Sequence, residues 1–126
     1  MLSEACTVTA GKLSDNQDLN LSGGNIFLFT TTETTTSTPN LRWDGSTTLD
    51  SKMGVADVLT VSVITTAGAA AYSAQLTIDG AAVTENWVGA SAPATGGASG
   101  VDIYTYTIIK TAANTFTVIA NQTLTS

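Results

Sequence analysis

Apolar and polar side chains alternate with a period of two along much of this chain. Val58-Leu-Thr-Val-Ser-Val-Ile64 sets Leu59, Val61 and Val63 on one side, and Tyr72-Ser-Ala-Gln-Leu-Thr-Ile78 sets Ala74, Leu76 and Ile78 against Gln75 and Thr77. Val101–Ile109 alternates Tyr104, Tyr106 and Ile108 with Ile103, Thr105 and Thr107, and Thr115–Ala120 repeats the pattern with Phe116 and Val118. Successive side chains of a strand point to opposite faces, so each run predicts a strand with one buried face. Residues 4–10, 18–21 and 25–32 predict further strands, and 49–55 has room for one short helical turn. Asp79-Gly80 between two runs is a strong hairpin signal. Asn114 suits a left-handed position closing a second hairpin. Asn40, Asp44-Gly45 and Gly23-Gly24 mark other reversals. Segment 30–38, of Thr, Ser and the single Glu33 and followed by Pro39, and segment 90–100, rich in Ala, Ser and Gly with Pro93, predict loops.

Together these elements predict an all-β fold, an antiparallel β-sandwich or jelly roll of about eight strands. An N-terminal arm over residues 1–15 precedes a single domain over 16–126, because its apolar strand has no evident hairpin partner. The apolar phases predict a core of Ile26, Leu28, Leu59, Val61, Val63, Leu76, Ile78, Tyr104, Tyr106, Phe116 and Val118. Threonine contributes 24 of the 126 residues, and β-branched side chains favour pleated sheets over helices.

Charge narrows the function. Only 11% of residues are charged, with ten acids against four bases and a net charge of −6. Lys12, Arg42, Lys52 and Lys110 are scattered, so the basic stripe of a nucleic-acid binder is missing. The acidity also argues against an anionic membrane surface, and no window approaches the roughly 20 apolar residues of a membrane helix. A lone cysteine forms no internal disulfide, and the N-terminus reads as neither positive nor apolar enough for a secretory signal. The expectation is a protein made in a reducing cytoplasm.

Catalytic chemistry has few candidates. Without histidine there is no triad base and no structural zinc site. Asp44, Asp50, Asp57, Asp79, Glu85 and Asp102 are available as the two positioned carboxylates of a glycosidase, but acids in such number are ordinary for a chain of this length. The Asp44–Asp50 loop misses the spacing of a calcium loop, so Asp44 reads as a turn former and Asp50 as a helix cap. Gly96-Gly97 precedes a strand, not a helix, and reads as a flexible connection rather than a phosphate cradle. The chain therefore reads as non-enzymatic, with no metal or cofactor. Trp43 and Trp87, near strand ends with polar neighbours, suit a carbohydrate platform or a protein hot spot as well as the rim of a core. With Leu2, Cys6 and Val8 of the arm and Pro93 of the 90–100 loop they form the candidate interface. Cys6 also reads simply as a small apolar residue in its strand. Few lysines blunt the strand edges, so neighbouring subunits are expected to cover them.

From Val58 to about Thr123 the chain resembles β-domains of tailed-bacteriophage virion proteins. The resemblance rests on Leu76-Thr-Ile-Asp-Gly80, Val83-Thr-Glu-Asn-Trp-Val-Gly89, Ala92-Pro93 and Val101-Asp-Ile-Tyr-Thr-Tyr106, followed by Ile108-Ile-Lys-Thr111 and Thr115-Phe-Thr-Val118. It implies a non-enzymatic, usually trimeric domain on the virion exterior. The spacer between Gly89 and Ala92-Pro93 is longer here than in that pattern. The short chain leaves little room for a tail adaptor. A capsid decoration (cement) protein, trimeric and bound to the major capsid protein, is therefore the first expectation. A tail-fibre or receptor-binding module that contacts tail proteins, with host glycan as a candidate ligand, is the alternative.

Overall fold

The three longest strands form where β-branched residues alternate most regularly. They are β5 (Val58–Thr66), β9 (Val101–Ala112) and β10 (Thr115–Leu124). The computed structural model describes residues 4–126. Within them lie seven more strands: β1 (Cys6–Thr9), β2 (Asp18–Asn20), β3 (Ile26–Thr32), β4 (Asn40–Arg42), β6 (Thr77–Ile78), β7 (Ala81–Ala82) and β8 (Glu85–Trp87). A single helical turn, α1, covers Leu49–Lys52.

The protein is all-β, with two mixed sheets. Ten strands replace the eight expected, and the pairing is not purely antiparallel. The larger sheet runs β1-β3-β5-β9-β10-β8 and the smaller runs β2-β4-β6-β7. The chain winds between them. β1, β3 and β5 lie side by side in parallel in one sheet, and β2, β4 and β6 do so in the other. Parallel neighbours need a long crossover, and here each crossover is a strand of the opposite sheet. Antiparallel pairing joins β6 to β7, β5 to β9, and β9 to β10, while β8 lies parallel to β10.

The N-terminal segment has a partner after all. Cys6–Thr9 pairs with Ile26–Phe29 at the edge of the larger sheet. Leu13, just beyond it, is fully buried.

Both sheets feed one hydrophobic core. Leu19, Leu41 and Ile78 from the smaller sheet meet Phe27, Phe29, Val61, Val63, Tyr104, Tyr106, Ile108 and Val118 from the larger. Val61, Val63, Leu76, Ile78, Tyr104, Tyr106 and Val118 are buried as expected, while Leu59 and Phe116 pack half-buried at the rim. Ile26 and Leu28 are on the wrong side of the prediction: Phe27 and Phe29 face inward and the other two face out. The run Ile-Phe-Leu-Phe is apolar in both phases, so the larger aromatic rings take the interior.

Two turns form as expected. Asp79 and Gly80 both take positive φ between β6 and β7. Asn114 takes φ 53° between β9 and β10. The stretch before Thr77 is not a strand. Its donors go to side chains instead: the Ser73 N–H to the Tyr104 hydroxyl at 3.2 Å, and the Leu76 N–H to the Glu85 carboxylate at 3.3 Å. Asn40 opens β4 rather than a reversal, and its side-chain oxygen accepts from the Thr77 hydroxyl and the Gly80 N–H.

Candidate interaction surface

The phase that buries Phe27, Val63 and Tyr104 dictates what the other face of the larger sheet carries. Register aligns Val8, Leu28, Ile64 and Ile103 across four strands, with Thr123 beyond them. The adjoining row is Cys6, Ile26, Ser62, Thr105 and Asn121. Further along the strands come Thr60, Thr107 and Ile119, then Val58, Ile109 and Thr117. These side chains are exposed or half-buried; Val8 is 64% and Val58 61% exposed. None of these strand positions is charged. Exposed acids border the face in sequence at Asp57, immediately ahead of Val58, and at Glu4, ahead of β1.

The charges that do lie on the larger sheet's strands face inward. Asp102, only 1% exposed, accepts from the Gly97 N–H through both carboxylate oxygens, at 3.1 and 3.0 Å. Gly96 and Gly97 are buried beside it, and a side chain at Gly97 would collide with the Asp102 carboxylate. The glycine pair is thus a pinned joint where a flexible connection was expected. The Lys110 ammonium lies inward beneath α1. It donates to the carbonyls of Asp50 and Met53 at 2.7 and 2.8 Å and pairs with the Asp50 carboxylate at 3.0 Å. That ammonium, together with the Asn114 N–H donating at 2.7 Å, holds the Asp50 carboxyl below the usual carboxylate range.

The other acids of this region are also engaged. The Asp79 carboxylate accepts the N–H groups of Leu49 and Asp50 at 2.7 and 3.0 Å, so it caps α1 from the β6–β7 turn. Thr48 is the local cap, through the Ser51 N–H. Asp50 therefore is not the cap it was expected to be. Asp44 does close a turn, accepting from the N–H and the hydroxyl of Ser46. Among the described residues no three Asp, Glu or Cys side chains gather in a metal-binding group. No helix there is long and apolar enough to cross a membrane.

The expected interface residues do not converge. Leu2 lies outside the described residues. Cys6 and Val8 share the uncharged face, both exposed. Trp87 belongs to the inward side of β8, half-buried, its ring edge-on to Tyr106 at 6.4 Å between centroids. Trp43 follows β4 and packs against the core beside Lys52, whose ammonium sits 5.3 Å from the ring centroid. It borders a groove of about 250 Å³ with Leu21, Met53 and Leu59. Pro93 is half-buried in the 88–100 connection. Sequence reasoning missed Leu28, Ile64, Ile103, Ile109 and Ile119 as surface. The signal was present as apolar residues in both phases of β3 and β9, next to threonines rather than charges.

The strand edges need less covering than expected. The four edge strands, β1, β8, β2 and β7, are four, three, three and two residues long. Short edges offer little template for another chain. The broad uncharged surface is the face of the larger sheet, not an edge. No protein-family model, curated protein or solved structure matches this chain.

Proposed function

We propose that this protein is a non-enzymatic structural component of a tailed-bacteriophage virion. It decorates the exterior of the capsid as a homotrimer and stabilises the shell through contacts with the major capsid protein. The fold reading that goes with it is a β-sandwich of the jelly-roll kind, with the two sheets packed over their common core. The observation that carries the proposal is the outer face of the larger sheet, broad and without a charged strand position, which suits the subunit contacts of an assembly and leaves the rest of the molecule to meet the shell. Such a surface suits contact with another protein surface; the Cys6 thiol is the titratable group among its strand positions. The resemblance of residues 58–123 to virion β-domains supplies the particle.

The mechanism is linkage. A protein that binds only the mature lattice stabilises that lattice by its binding free energy. A three-fold arrangement multiplies weak single contacts through effective concentration. The test adds purified protein to expanded capsids of the encoding phage that lack it. Saturable binding with copies in the hundreds per particle, together with a raised disruption temperature, is the expected result. A few copies located on the tail would transfer the protein to the tail-fibre reading, with a receptor or glycan as its ligand.

A further inference from the structure

We propose that the uncharged outer face of the larger sheet is where copies of this chain meet one another. The inference stands on the sheet itself and holds whether the particle it joins is a capsid or a tail. Three observations select a second copy as the occupant.

The first is charge. At −6 the protein repels its own copies through most approaches. On this face no strand position carries a carboxylate, so two copies meet here without opposing like charges. A basic partner would find nothing on it to pair with.

The second is composition. Ser62 and Thr105 pair across β5 and β9, and Thr60 and Thr107 pair one step along. A hydroxyl both donates and accepts, so a band of hydroxyls is complementary to itself. Ile64 and Ile103, directly opposite each other in the adjoining row, supply apolar area. The β-branched side chains are stiff before contact, so little side-chain freedom is lost on binding.

The third is size. About five strands at ~4.8 Å spacing by nine residues at ~3.3 Å give a face on the order of 700 Å². That is close to the roughly 800 Å² per partner of a standard stable interface.

The experiment is sedimentation velocity on the full chain from about 10 nM, by fluorescence detection, to about 100 µM, a range that reaches from tight association past the weak, micromolar end of affinities for interfaces of this size. The wild-type chain is expected to associate reversibly. Thr105→Lys and Ser62→Lys each place a half-exposed charge at the centre of the face on a different strand. Each is expected to weaken association by about a hundredfold or more through like-charge opposition. Circular dichroism and thermal melting show that the variants remain folded. Ala82→Lys, on the exposed edge of the other sheet, is the control and is expected to associate as the wild type does. A wild type that stays monomeric throughout the range overturns the inference, as do two folded lysine variants that associate normally. A dimer in place of a trimer upholds this face while removing the three-fold part of the proposed function.

Discussion

Glu33 is an acid buried with half its hydrogen bonding unmet. One carboxylate oxygen accepts the Leu13 N–H at 2.8 Å, while the other is buried without a partner. Burial pushes its pKa above the ordinary 4.5, and the Leu13 bond offsets that only in part. Below 4.5 both folded and unfolded chains hold the proton. As pH rises from there through the raised value, the unfolded chain loses its proton first, so stability falls. Glu33→Gln keeps an acceptor for Leu13 and removes the charge. Urea unfolding at pH 7 should show it more stable than the wild type by on the order of 1 kcal/mol, with the difference shrinking at pH 4. An equal difference at both pH values would assign the effect to packing. Nothing in the sequence marks Glu33, which stands among threonines in a stretch that reads as loop. The faces of Tyr104 and Tyr106, by contrast, were legible, because threonines separate them. The faces of Ile26 and Leu28 were not, because period-two reasoning needs a polar phase to contrast with the apolar one.

Among the elements, α1 is the most dependent on its surroundings. Four residues make too short a helix to stand on intrinsic propensity, and its N-terminal donors are met by Asp79, some thirty residues away in sequence. Asp79→Ala should cost about 1–3 kcal/mol in urea unfolding, by leaving those donors unpaired and placing alanine at positive φ. Asp79→Asn, at home in that conformation and still an acceptor, should cost less; equal losses would assign the whole effect to the carboxylate and none to the backbone conformation. β1 makes a second case. It is short and exposed, and it covers the edge of β3, which is seven residues long and rich in Ile, Phe and Leu. A chain begun at residue 10 keeps Leu13 and its core but leaves that edge bare. Static light scattering should show it aggregating at concentrations where the full chain does not; a truncated chain that remains as dispersed would assign β1 no protective role. Strands and hairpin turns were largely readable from the residues, since both are local. The winding between sheets was not, because parallel partners are joined by long crossovers with no turn signature of their own.

At the scale of the whole molecule, the candidate surface was half-legible. The scarcity of charge was plain, but its concentration away from one face emerges only once the strand phases are fixed. The winding carries a further consequence, for the order of folding. β9 and β10 are joined by the two-residue turn at Ala113-Asn114 and pair over nearly their whole lengths, the cheapest closure available among the long strands. β5 must then find β9 across a wide loop, with Thr66 opposite Val101 and Val58 opposite Ile109. β3 joins β5, and β1 joins β3. Such non-local pairing is slow relative to hairpin closure. On the ribosome the sequence of events runs the other way: β1, β3 and β5 emerge before the hairpin that would nucleate their sheet. The Ile26–Phe29 segment and both of its neighbours, β1 and β5, are therefore made before the hairpin on which the larger sheet closes, and a sheet that grows outward from that hairpin adds its strands in the reverse of the order in which they are made.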